Sequence, residues 1–415
     1  MNVSDKVLFR PSKASGTVDA PPSKSMAHRH LVCSALSEGD SVVRNIDLSN
    51  DIRATMDCMG QLGCDTGISD GVVYVRHNSG LNGKPMFRCN ESGSTLRFFI
   101  PIALAVAGTC GFDSVRFEGS SYLLERPLSV YEDICREQGI LFRRDAVSND
   151  VGCIEFSGHL HGGSFFIPAD ISSQFISGLL FALPLLSEDS NISLVGKIES
   201  RPYIDMTIRV LGEHGITVRW EDERNLVVPG SQKYRSGDYF VEGDWSNSAF
   251  LDAFASVGGS VDVRGLDPSS LQGDKVYVDL FRRLGKGFAR IDISDCPDLG
   301  PVLMALAACH HGAEFTGTRR LKMKESDRGS AMCGELSKFG VRTDLEENRI
   351  EVFGGGVRKP SDSVLSHNDH RIAMALSVML SVTGGVLEGA SAVNKSFPDF
   401  FSRIRSLGVD FDYVR

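Results

Sequence analysis

The sequence predicts an α/β protein of two lobes, each an inside-out α/β barrel with helices inside and sheets outside. Six repeated βαβαββ-like units, three per lobe, would build it. Three observations predict this. A polar, Ser/Asp/Gly-rich turn opens a strongly apolar segment six times along the 415 residues. After each comes a short strand pattern ending near a Gly, then a one-sided helical pattern that usually stops at another Gly. The first segments of several units, FFIPIALAVAG, FISGLLFALPLL and PVLMALAACHHG, are apolar nearly all round and must be buried on every side.

Taken in order, a strand pattern at Val7–Phe9 comes first, and the residues alone leave its lobe open. PPSKSMAHR follows, from Pro21 to Arg29. Its two prolines end what precedes them, and Ser23 is placed to cap a helix through Leu31, Val32, Ala35 and Leu36. The free N–H groups of that first turn favour an anion. Lys24 stands at this positive end, where a cation opposes the dipole, and so points to an anionic ligand. The later openings are NESGSTLR from Asn90, DISSQF from Asp170, GDWSNSAF from Gly243, DCPDLGP from Asp295 and SHNDHR from Ser366. SVVRNI, SVRFEG, NISLVG, SVDVRG, AEFTGT and GVLEG are the strands that follow.

The second helices should end at Leu62-Gly63, Gln138-Gly139, His214-Gly215, Leu284-Gly285, Phe339-Gly340 and Leu407-Gly408. Ile52, Met56, Met59 and Leu62 share one helical face, as do Phe397, Phe401, Ile404 and Leu407. Beyond such a Gly a further strand is expected, as at Ile216-Thr217-Val218. The repeat is uneven and the fourth unit is the most degraded. Three units before about residue 240 and three after suggest two lobes, with Lys233–Gly237 as the crossing point.

Composition narrows the function. A chain 42% hydrophobic and 23% charged is ordinary for a soluble protein. A net charge of −9 argues against nucleic acid. MNVSDKVLFRPSKASG lacks the apolar core of a secretory signal, and the richest apolar run, Phe98 to Ala107, is short and holds Pro101. Ten cysteines without a CxxC pair sit mostly in apolar segments and read as core residues of a reducing compartment. A cytoplasmic protein is expected.

Positive charge is therefore local. Lys24, Arg29, Arg97, Arg126, Lys324, Arg328, Arg371 and Lys395 lie at or near the openings, with Ser25, Ser172, Ser173, Gln174, Ser200 and Tyr203 as neutral donors. Parallel buried helices would aim these groups at a single site between the lobes. Arg clusters fit carboxylate and phosphate, and this many cations implies two anionic partners. Neither a GxxxxGK[ST] nor a GxGxxG nucleotide cradle occurs. Asp298 follows Pro297 at the start of the fifth buried helix, where the dipole would keep it ionised and able to act as a base. Glu325, between Lys324 and Arg328, should open an amphipathic helix; alone, it and Asp327 read as dipole complementation with a local ion pair. His370 is a candidate ligand, but without HxH or HExxH spacing no metal is expected.

PPSKSMAHR, LLERP, SSQF, SRPYID, DCPD, KESDR, NDHR and NKSFPDFF resemble, in that order, the motifs of the 5-enolpyruvylshikimate-3-phosphate synthase family. The resemblance runs from about Pro21 to the C-terminus. It implies a first lobe, 20–239, inserted into a second made of 1–19 plus 240–415. It also implies transfer of the enolpyruvyl group of phosphoenolpyruvate to the 5-hydroxyl of shikimate 3-phosphate, by a monomer without metal or cofactor. Shikimate 3-phosphate would be held by Lys24, Ser25, Arg29, Ser172, Ser173, Gln174, Ser200, Tyr203, Asp298 and Lys324. Phosphoenolpyruvate would be held by Lys24, Gly93, Arg126, Gln174, Arg328, His370, Arg371 and Lys395, with Gly93 bordering the pocket where glyphosate competes. Asp298 would take the proton of the attacking hydroxyl, and Glu325, with Lys24, would protonate the methylene carbon.

Two positions depart from the family pattern: Glu91 and Arg320 stand where many members have a neutral Asn. UDP-N-acetylglucosamine enolpyruvyl transferase shares the implied fold and donor, but it carries a reactive Cys five residues before its loop arginine. Counting back from Arg126 gives Ser121. A non-catalytic phosphometabolite-binding protein of this fold could lose Asp298 and Glu325, yet both are present.

Overall fold

In the computed structural model, which describes residues 5–78, 85–145 and 150–414, the chain forms two compact units. One is Lys24–Val241, and the other joins Met1–Ser23 to Glu242–Arg415. Each has its own apolar core. The second unit begins with β1 (Lys6–Phe9) and β2 (Ser15–Asp19). The chain then enters the first unit with α1 (Lys24–Ala35), β3 (Ser41–Arg44), α2 (Asn50–Gly60), β4 (Cys64–Ser69) and β5 (Val72–His77). The next repeat is β6 (Met86–Asn90), α3 (Gly93–Cys110), β7 (Ser114–Ser120), the short α4 (Ser121–Glu125), α5 (Ser129–Gln138), β8 (Leu141–Arg144) and β9 (Val151–Ser157). A third comprises β10 (Gly163–Pro168), α6 (Ser173–Ala182), β11 (Ser190–Val195), α7 (Arg201–Glu213), β12 (Arg219–Trp220) and β13 (Asn225–Val228), and β14 (Asp238–Phe240) completes the unit.

The chain then rejoins the second unit as α8 (Trp245–Ser256), β15 (Ser260–Arg264) and α9 (Tyr277–Lys286). β16 (Ala289–Asp292), α10 (Gly300–Cys309), β17 (Ala313–Thr316), α11 (Arg328–Lys338), β18 (Thr343–Leu345) and β19 (Arg349–Val352) form a full repeat. The last contains β20 (Val364–Leu365), α12 (His370–Thr383), β21 (Gly385–Glu388), α13 (Phe400–Ser406) and β22 (Phe411–Val414).

Among the described residues the strands make five four-stranded sheets and one two-stranded pair. The five share one pattern: a parallel pair, which in all but the β14-β3 sheet flanks a buried helix in sequence, then two antiparallel neighbours, as in β6-β7-β9-β8 and β16-β17-β19-β18. Strands from a distance close two sheets, since β14 runs beside β3 and β1 lies between β21 and β22. The fourth repeat keeps β2 beside β15 but has no hairpin after α9, which is the degradation seen in its sequence.

The apolar helices lie inside each unit, with α3 packed on α6 and α10 on α12. The second helices bury one face, as α9 does with Tyr277, Leu280, Phe281 and Leu284. α3 carries Pro101 in its interior. A proline there has no N–H to give the carbonyl four residues back. Tyr131 supplies the missing donor, its hydroxyl giving a 2.5 Å bond to the Arg97 carbonyl. Gly178 on α6 leaves room for that bond, since a Cβ there would collide with both atoms.

Several boundaries differ from expectation. The chain crosses units after Ser23 and after Val241, later than Lys233–Gly237, because Asp238–Phe240 still pairs with β3. α9 runs through Gly285 and stops at Lys286. Ile216–Val218 precede the strand, which starts at Arg219. Gln232 accounts for this: its side-chain amide takes the N–H of Thr217 at 2.7 Å and donates to its carbonyl at 3.0 Å, where a strand neighbour would otherwise bond. Phe397 precedes α13, which starts at Phe400. Nine of the ten cysteines have described side chains; these are free, and most are buried. Among the described residues no helix is long and apolar enough to cross a membrane.

Near the end of the first unit, His30 and His214 meet at 3.3 Å, and Tyr239 of β14 stacks on His214 with ring centroids 3.7 Å apart. Burial, with Arg209 and Arg29 nearby, lowers His30 to about 4, although Glu213 lies 3.8 Å away. Burial and His30 lower His214 to about 3. Both rings stay neutral in the fold but take protons when unfolded, at about pH 6.5. Their contribution to stability is therefore complete above that pH and is lost as pH falls toward about 4. Each could cost up to about 1.4 kcal/mol per pH unit in that window. Denaturant midpoints should fall with acidification, and His214→Phe should flatten that fall. An equal slope in both proteins would contradict this.

Candidate active site

Within Lys24–Val241 the openings are tied together by polar side chains at the N-termini of α1, α3, α6 and α7. Ser92 caps α3, its hydroxyl accepting from the N–H of Thr95. A buried chain continues from it through Thr95 Oγ1 (2.7 Å), Thr55 Oγ1 (2.8 Å) and His28 Nδ1 (2.7 Å), joining α3 to α2 and α1. Ser172 caps α6 by accepting from the N–H of Gln174. The Gln174 side chain receives Nη1 of Arg97 at 2.7 Å and donates to Ser94 Oγ at 2.8 Å, locking α6 to α3. Arg29 is buried and places Nε on Thr207, Nη1 on the Ser25 carbonyl and Nη2 on the Tyr203 carbonyl, locking α1 to α7. Burial lowers its pKa to about 10, still well above neutrality.

Lys24 is the first residue of α1, and the misplaced cation has a counter-ion: Asp51 of α2, 2.8 Å away. Ser200, just before α7, has φ 58°, a left-handed conformation unusual for Ser. Asn90, His367 and Asn368, each at an opening, share that conformation. Strain of this kind persists only where surroundings enforce it, and it clusters at functional positions. Gly93 opens α3 against Arg126, so close that a Cβ would lie 2.5 Å from its Nη1.

The second unit holds a cluster of its own. Asp298 sits in a 3-10 turn, Pro297–Leu299, just before α10. Its Oδ1 meets Arg328 Nη1 at 2.7 Å and Lys324 Nζ at 3.2 Å, and its Oδ2 meets Arg371 Nη2 at 3.2 Å. Burial alone would raise this carboxyl, but Arg371, Lys324 and Arg328 outweigh it and hold Asp298 well below the usual carboxylate range. Neighbouring cations, not only the expected dipole, keep it ionised. Burial in turn lowers Lys324 to about 8 against the pull of Asp298.

Arg328 is 1% exposed and touches three carboxylates: Asp298, Glu325 (Nη2 to Oε2, 2.5 Å) and Asp369 (Nε to Oδ2, 2.8 Å). Glu325 does not open the helix as expected. α11 begins at Arg328 with Asp327 as its cap, and Glu325 sits in the bend before it, free of helical geometry and turned onto the guanidinium. Asp369 caps α12 by accepting from the N–H of Arg371 while binding Arg328. His370 is buried beside it, and Lys395 donates to the Asn368 carbonyl at 2.6 Å. Arg320 is buried too, while Glu91 is exposed.

This arrangement can bind anions through several cations and can move protons through Asp298 and Glu325. A family model described as EPSP synthase (3-phosphoshikimate 1-carboxyvinyltransferase) matches residues 9–404. The chain belongs to the EPSP synthase family. A 3-phosphoshikimate 1-carboxyvinyltransferase of Clostridium kluyveri is 39% identical over 426 residues, spanning 98% of both chains. One of Clostridium perfringens is 38% identical, over 97% of this chain and 98% of its own. The solved EPSP synthase of Acinetobacter baumannii shares the fold, with a TM-score of 0.78 over 99% of this chain and 100% of its own at 20% identity.

Asp369 lies within NDHR and has no task in the sequence motif alone; an Asp directly before an apolar helix is a capping signal that marks it. The His28–Thr55–Thr95 chain carried no signal, because its members are scattered over three elements.

A methyl at Gly93 would meet the Arg126 guanidinium before any ligand. The end of a long side chain can shift, so Gly93→Ala should fold normally. In an EPSP synthase assay it should raise the KM for phosphoenolpyruvate and leave that for shikimate 3-phosphate little changed. An unchanged KM for phosphoenolpyruvate would contradict this placement.

Proposed function

We infer that this protein catalyses the reaction of its family, joining the enolpyruvyl group of phosphoenolpyruvate to the 5-hydroxyl of shikimate 3-phosphate and releasing phosphate. The observation that carries the reading is the cluster in which Asp298 and Glu325 share Arg328, with Lys324 and Arg371 alongside. Lys24, Gly93, Arg126, Gln174, Arg328, His370, Arg371 and Lys395 are assigned to phosphoenolpyruvate. Lys24, Ser25, Arg29, Ser172, Ser173, Gln174, Ser200, Tyr203, Asp298 and Lys324 are assigned to shikimate 3-phosphate, Arg29 also bracing Ser25 and Tyr203 from beneath. The protein is read as a cytoplasmic monomer acting on these two small molecules.

In the addition step the 5-hydroxyl oxygen bonds to C2 of phosphoenolpyruvate. Asp298 takes the hydroxyl proton, and Glu325, assisted by Lys24, gives a proton to C3. Elimination returns the C3 proton to Glu325 and breaks the C2–O bond to phosphate, which leaves with the proton that Asp298 took. An anionic substrate drawing Lys324, Arg328 and Arg371 to itself relieves Asp298 of neighbouring positive charge, raising its proton affinity when a base is needed. Preorganised cations supply the remaining stabilisation.

Phosphate release, measured with shikimate 3-phosphate and with UDP-N-acetylglucosamine in turn, tests the assignment. Turnover is expected with the first alone, and turnover with the second would replace this reading by its rival. Asp298→Ala and Glu325→Gln should each lower turnover by about 10²–10⁴-fold. Near-normal rates in both variants would make the acid–base roles wrong.

A further inference from the structure

Asp274 lies in a 3-10 turn, Gly273–Val276, and is 2% exposed. Burying a carboxylate is costly unless it is compensated, and the roles above give this one no task. Its neighbours are specific. Arg371 Nη1 donates to Ser246 Oγ at 2.8 Å, at the start of α8, and the Ser246 hydroxyl bonds to the Asp274 side chain. A hydroxyl that accepts from a guanidinium keeps its own hydrogen to give. The chain thus runs from Asp274 through Ser246 to Arg371, whose Nη2 rests on Asp298.

We propose that Asp274, acting through Ser246, is a positioning residue that aims Arg371 and supplies negative charge keeping Asp298 a competent base. The proposal rests on the catalytic reading of Asp298 and adds a residue that touches neither substrate. The groups facing Asp274 are Asp298, Arg371, Ser246, Asp244 and, across the cluster, Cys296. Burial first, then the charge of Asp298, raises Asp274 to about 6, while Arg371 and Ser246 pull it down. Above that pH Asp274 is an anion that repels the charge on Asp298 and so raises the proton affinity of Asp298. Below it, Asp274 is neutral and that support is gone.

The test is the pH profile of steady-state kinetics. Wild-type kcat should drop through an inflection near pH 6 as acid neutralises Asp274. Asp274→Asn keeps the shape and removes the charge. It should lack the inflection and lose about threefold to tenfold in kcat above it, without a fall in melting temperature. Ser246→Ala cuts the link to Arg371 while leaving Asp274 in place. It should raise the KM for phosphoenolpyruvate and move the inflection to higher pH, because a bond favouring the charged form is lost.

A folded Asp274→Asn enzyme with wild-type kcat and an intact inflection overturns the proposal. Should that variant fail to fold, an unchanged KM and profile in Ser246→Ala overturns it equally. An active Asp298→Ala enzyme would instead sink the catalytic reading itself, so the two failures are distinguishable.

Discussion

A guanidinium taken fully out of water must be given compensating charge and hydrogen bonds, and in this protein Arg328 receives both from Asp298, Glu325 and Asp369. The rest of the candidate site follows from that requirement. Asp369 caps α12 and so fixes where Arg371 starts. Asp298 is held by Arg328, Lys324 and Arg371, and the bend that frees Glu325 from helical geometry lets it reach the same cation. The two acids assigned to proton transfer therefore serve as counter-ions until an anion replaces them. In the proposed mechanism binding and activation become one event, since the charges assigned to the substrate are those that suppress the proposed base.

The first unit meets a different constraint. Its inner helices are apolar nearly all round, so their polar groups gather at the ends. Those ends are fastened by short side chains: Ser92, Thr95, Thr55 and His28 on one path, Arg97, Gln174 and Ser94 on another. Pro101 removes a backbone bond beneath Arg97, Tyr131 restores it, and Gly178 leaves the space. The helix termini assigned to anion binding thus rest on a buried scaffold that holds each at a set position.

Most of the fold was legible because its repeat is written in hydrophobic pattern. Apolar all-round segments announced the inner helices, and Gly139, Gly215, Gly340 and Gly408 marked helix ends through positive φ. Gly285 misled because a helix interior tolerates Gly at modest cost. The strand at Ile216 failed because Gln232, a side chain sixteen residues away in sequence, took its backbone bonds. Among the candidate residues, Lys24, Asp298 and Arg328 stood out as charge at helix openings, whereas Glu325 alone read as a local ion pair and received a role only through the family resemblance. Asp51, Asp369, Ser246 and Asp274 were not, because what marks them is the cation they face, and that is set by tertiary packing.

In the proposed mechanism substrate anions displace carboxylates from these cations and so raise the proton affinity of Asp298. Proton uptake on binding of shikimate 3-phosphate alone, with no phosphoenolpyruvate and hence no turnover, measured by calorimetry in buffers of different ionisation enthalpy, tests it most directly. Comparison with Asp298→Asn offsets the protons exchanged by the ligand's own phosphate. Near pH 6 the wild-type protein should take up more protons than the variant. Equal uptake in the two proteins would contradict the account.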